Sequence, residues 1–112
     1  MSVEHFAHCL LRSLVEHDER ARAIVAQIRG KTAILGVVDG EDWVPLLRLY
    51  NPSAAANVMN LGVRQGRSWA VTLLRGTPDQ LAVHLTGPLA FTWQVEVEAL
   101  ATDEKRTSEH KH

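Results

Sequence analysis

VEHFAHCLLRSLVEHDERARAIVAQI, residues 3–28, carries the most regular apolar pattern in the chain. Val3, Ala7, Leu10, Leu14, His17, Ala21, Ile24 and Ile28 recur at alternating steps of four and three residues. That spacing draws one stripe along a helix and matches the seam of a coiled coil. Ser2 suits the N-cap, Gly30 suits a left-handed closing residue, and Glu16–Arg20 and Asp18–Arg22 place an acid four residues before a base. The reading is a helix over residues 2–29. Unbroken, it would run about 42 Å, more than the roughly 35 Å breadth of a compact domain of this length. Either it bends near His17-Asp18-Glu19, or it projects and needs a partner.

Outward from that helix the period changes from helical to two. Thr32–Val38 is β-branched and aliphatic, Asp39-Gly40 is a turn pair, and Trp43–Tyr50 reads as the returning strand. Pro45 has no N–H for a ladder, which predicts an edge strand or a bulge at that point. Ser53 then suits the cap of a short helix, Ala54 to Gln65, with Ala55, Val58, Met59 and Leu61 or Gly62 inward and Gly66 as terminator. Trp69–Arg75 is a further strand.

The segment from Thr77 to Thr86 allows two readings. Thr77, Pro78 and Gln80 match a capped helix start. Leu81, Val83 and Leu85 alternate with Ala82, His84 and Thr86, which suits a strand, and the strand is preferred. In the last element Phe91, Trp93, Val95 and Val97 alternate with Thr92, Gln94, Glu96 and Glu98, the pattern of a half-buried antiparallel strand. Thr102–His112 is polar and is expected to be a flexible tail.

These elements predict a single α+β domain over residues 1–101. A long N-terminal helix packs on a curved, mainly antiparallel sheet of about five strands, with a short second helix, in the order α-β-β-α-β-β-β. That order is similar to the cone-shaped α+β fold of nuclear transport factor 2 and to the roadblock/profilin-like fold. The first resemblance implies a ligand pocket or active site, the second a role in protein assembly; neither carries residues over.

Composition narrows the function. Of 112 residues 46% are hydrophobic, enough for a core, and 12 Lys and Arg against 13 Asp and Glu leave a net charge of −1. No basic excess or stripe is visible along the chain, so nucleic acid is not an expected partner. One cysteine, Cys9, excludes an internal disulfide and a cysteine-rich zinc site. No leader pattern and no run of about 20 apolar residues occurs, so a cytoplasmic protein with no membrane partner is expected.

Side chains with chemical potential are few. His5, His8 and Cys9 are the best metal candidates, but His8 and Cys9 point about 100° apart on a helix, and no metal or other cofactor is expected. His17 either registers a dimer seam or faces water at a bend. Asp39, Glu41 and Asp42 lack the distal glutamate of a calcium loop and read as a solvated turn. Glu96 and Glu98 read as the polar side of a strand. Ser68 lacks the nucleophile-elbow pattern. Arg64, Arg67 and Arg75 read as an anion-holding cluster or as ordinary surface, and the second is preferred.

Trp69, His84 and Trp93, with Asp79, are the ligand-pocket candidates, should the strands carrying the tryptophans converge. Leu10, Leu14 and His17 on the helix, and Trp43 and Tyr50 on the strand marked by Pro45, are the interface candidates. The expected function is a small homodimeric binding or interaction module without a catalytic constellation. The alternative is a pocket protein or small enzyme of the nuclear transport factor 2-like type, with a small molecule or a protein as ligand.

Overall fold

Asp18 decides the course of the N-terminal third. In the computed structural model, which describes residues 2–53 and 57–109, helix α1 spans Val3–His17. The Ser2 hydroxyl accepts from the His5 N–H at its start. At its end Asp18 takes an extended conformation, and its carboxylate accepts from the Arg20 N–H to open a 3-10 helix, Glu19–Ala23. Of the two readings open for the long helix, the break near His17-Asp18-Glu19 is the one found, and the helix ends there. Beyond Ile24 the chain does not return to helix. Val25–Arg29 is strand β1, and Gly30, at φ +61°, turns a hairpin in place of capping a helix.

The remaining strands are β2 (Thr32–Asp39), β3 (Asp42–Ser53), β4 (Val58–Gln65) and β5 (Ser68–Gly76). They form one antiparallel meander in sequence order, β1-β2-β3-β4-β5. Helices α2 (Pro78–Leu85) and α3 (Phe91–Glu109) follow the sheet. The α+β class, the N-terminal helix and the antiparallel sheet stand as the sequence predicts. Helix α3 continues past Ala101, where the domain was expected to end.

Four elements differ from expectation, each for a physical reason. Val58–Gln65 is strand, because Met59 and Leu61 go inward while Asn60, Gly62 and Arg64 go outward. The Ala54–Ala56 start of the expected helix lies outside the described residues. Pro78–Leu85 is helix, opened by a full capping box in which Thr77 and Gln80 satisfy each other's backbone N–H. Its apparent alternation is false, since Val83 is 60% exposed while Leu81, Ala82 and Leu85 are buried. The same holds in α3: Phe91 and Val95 are 67% and 62% exposed, and Trp93 and Val97, four residues apart, are the buried pair. β1 was hidden inside the helical stripe.

Register separates the two faces of the sheet. Ala33, Leu35, Leu47, Leu49 and Leu61 point to one side and join Phe6, Leu10 and Leu14 of α1, Leu81 and Leu85 of α2, and Trp93 and Val97 of α3 in one core. All three helices thus cover the same face. Leu10 and Leu14 are fully buried within the chain, so they cannot be the seam of a dimer. β3 lies between β2 and β4, so Trp43 and Tyr50 are not on an edge. Pro45 is tolerated there by a bulge: Leu35 pairs with Leu47 but Gly36 with Pro45, leaving Leu46 as the extra residue. The true edges are β1, five residues long, and β5, which a further irregularity distorts. Within β5 the Thr72 hydroxyl donates to the Leu61 carbonyl at 2.5 Å, and Leu73 stands 99% exposed. Such a bulge disrupts edge pairing.

Candidate functional site

The face of the sheet away from the helices carries Ile34 and Val38 of β2, Trp43, Arg48 and Tyr50 of β3, Asn60 and Arg64 of β4, and Trp69 of β5. None of the hydrophobic residues among them belongs to the core or packs against it among the described residues. Two glycines shape the floor. A Cβ on Gly36 would lie 2.3 Å from the Val44 carbonyl oxygen and 2.9 Å from the Trp43 ring, so only glycine lets Trp43 lie across β2. Gly62 has ordinary clearance of 3.5 Å to the Tyr50 ring and 3.7 Å to Arg48 Cβ, and its missing side chain opens space between β3 and β5.

Over that space guanidinium groups and rings alternate. Arg48 Cζ lies 4.6 Å from the centre of the Tyr50 ring and 5.4 Å from that of Trp69. Arg64 Cζ lies 5.1 Å from the same indole. Arg64 Nε also donates to the Gly66 carbonyl at 2.9 Å, which fixes its stem. At the end of the face Arg75 donates to the Asn51 carbonyl at 2.7 Å and to the Asn60 side chain. The Asn51 carbonyl is presented by a left-handed residue, φ +56°, at the β3 irregularity. Arg48 differs from its neighbours: its Nε is buried without a hydrogen-bond partner, and no ion pair reaches its guanidinium among the described residues. A buried unsatisfied donor on a charged group is costly.

Charge is segregated between the layers. Arg29, Arg48, Arg64 and Arg75 lie on the open face, and among the described residues no Asp or Glu takes a register position on that face. On the helical side Asp18, Arg20 and Glu98 form an ion-paired group and Gln94 donates to Asp18 at 2.8 Å, while Asp39, Glu41 and Asp42 lie at the β2–β3 turn. The Arg20 side chain, hydrogen-bonded to Asp18, holds that carboxyl below its ordinary pKa against the opposing effect of burial.

The sequence-derived site residues scatter. Trp93 fills the core, with its indole N–H donating to the Leu85 carbonyl at 2.8 Å, whereas Trp69 stands on the opposite side of the sheet. Trp69, His84 and Trp93 therefore do not line one pocket. His17 is exposed at the end of α1. Cys9 Sγ lies 3.6 Å from His5 Nε2, His8 is exposed, and no group of three His, Cys, Asp or Glu side chains is arranged for a metal among the described residues. A surface groove of about 450 Å³ runs between α1 and the start of α2, lined by Cys9, Arg12, Ser13 and Glu16 with Asn57, Thr77, Pro78 and Asp79. Trp43, Tyr50 and Trp69 share the open face, with Tyr50 and Trp69 joined through Arg48 and Trp43 lying against Gly36 of β2. Arg48, the residue at its centre, was missed. The signal was present in the period-two pattern, which puts Arg48 and Tyr50 on the side of β3 opposite Leu47 and Leu49.

No described helix is long and apolar enough to cross a membrane. No family model, no curated protein and no solved structure matches the chain.

Proposed function

We propose that this protein is a binding module that recognises its partner with the open face of its sheet. The observation that supports this reading is the Tyr50–Arg48–Trp69–Arg64 stack on a face that none of the three helices covers. Trp, Tyr and Arg are the residue types that dominate binding energy at protein interfaces. Stacked guanidinium groups lose little further freedom on binding, because the rings already hold them. Self-association through the α1 stripe has no basis once Leu10 and Leu14 are in the core. A second copy docked through its own open face would set arginine against arginine.

Peptide-display selection tests this. Random peptides selected on the native protein should bind Arg48→Ala or Arg64→Ala at least about tenfold more weakly, while both variants keep their melting temperature. Selected peptides that bind both variants as well as the native protein would place recognition elsewhere.

A further inference from the structure

We propose that the open face takes an extended, acidic segment of a partner protein, with two carboxylates read by Arg48 and Arg64; this rests on the open face being the recognition surface. Three features of the face select that chemistry.

The first is the occupied indole. Arg48 and Arg64 both sit over Trp69, so its ring is not free to stack a nucleobase, as single-stranded nucleic acids require. A guanidinium stacked on a ring keeps its in-plane N–H groups for an oxyanion. The second is the lone state of Arg48. With Nε covered, and no carboxylate at a register position on its face among the described residues, its two Nη groups remain for a carboxylate to engage through two parallel hydrogen bonds. The third is the apolar flank. Ile34 pairs with Arg48, and Val38 and Trp43 continue the same face toward the β2–β3 turn. A partner that buries them must bring apolar side chains along with its charge, which an acidic polypeptide does and a phosphodiester chain does not. In an extended chain, side chains i and i+2 share a side about 7 Å apart. Two guanidinium groups held at 5.4 and 5.1 Å from one indole are near enough to each other for one extended segment to reach both.

The experiment is fluorescence anisotropy at physiological salt with three labelled probes. They are a serine-based peptide carrying glutamates at i and i+2 and leucine at i+4, the same peptide with glutamines, and an oligothymidylate. The glutamate peptide should bind tightest. Its affinity should fall at least about tenfold for the Arg48→Gln/Arg64→Gln protein and by a similar factor for the glutamine peptide. Tighter oligothymidylate binding that is lost in the double variant would overturn the acidic-segment proposal and leave the open face standing as the recognition surface. Equal binding of the glutamate and glutamine peptides, or no binding of either, would also overturn it. Binding of the glutamate peptide undiminished in the double variant would overturn the proposal and the open-face reading together. Melting curves of the variant serve as the folding control.

Discussion

Along β2 and β3, Leu35, Leu47 and Leu49 alternate with Ile34, Arg48 and Tyr50, yet the two sets meet opposite surroundings. The leucines lie under three helices, without solvent exposure. The others stand on a face that no packed element covers among the described residues, where rings and guanidinium groups pack on one another instead. One face has its partner built in. The other keeps the residue types of an interface core without a described partner, and one donor of Arg48 stays unsatisfied. The difference teaches that one sheet can close a core against its own helices on one side and, on the proposed reading, offer a binding surface on the other.

Mutations on the two faces should therefore differ in kind. The largest effect belongs to Trp93→Ala. It empties a fully buried site and strips the Leu85 carbonyl of its indole donor. A loss of about 3–5 kcal/mol by urea denaturation is expected. A loss below 1 kcal/mol would mean that the helices do not close one core. Next comes a pair of glycines. Gly36→Ala forces a Cβ into the Val44 carbonyl and the Trp43 ring and should cost about 1–3 kcal/mol. Gly62→Ala meets only ordinary contacts and should change stability by less than about 0.5 kcal/mol. Equal costs at the two sites would contradict the description of the open face.

Asp18 ties the α1 junction to α3, and Asp18→Ala should cost about 1–2 kcal/mol at neutral pH. Folding lowers the pKa of this carboxyl. Its stabilisation is therefore complete above the ordinary carboxylate value and is lost as pH falls through the lowered one. The gap between native and variant protein should hold at neutral pH and shrink below about pH 4. A gap that widens on acidification would reverse the assignment. The smallest effect belongs to Arg48→Ala. It gives up two ring contacts but also removes the orphaned donor, and should shift stability by no more than about 0.5 kcal/mol.

The same contrast explains what was legible in the sequence. Period-two strands such as Thr32–Asp39 and the Ser2-capped start of α1 are set by neighbours a few residues away, and these were readable; the end of α1 at His17 was one of two open readings. The assignments that failed depended on distant partners. Val25–Arg29 pairs with β2, which a helical stripe cannot reveal. Phe91 and Val95 are exposed only because Trp93 and Val97 are the pair that meets the core. The five strands expected and the five found agree in number partly because two false strands replaced two missed ones. The open face was hidden for an electrostatic reason. A net charge of −1 averages a cationic sheet face with acids elsewhere in the chain, and only the register brings Arg29, Arg48, Arg64 and Arg75 to one side.

The most direct measurement is a map of backbone amide and indole N–H chemical shifts as the glutamate peptide is added. The account predicts that the largest shifts fall on Arg48, Tyr50, Gly62 and the Trp69 indole, with the Trp93 indole unmoved. Shifts centred on Cys9, Ser13 and Thr77 would contradict it and move recognition to the groove between α1 and α2.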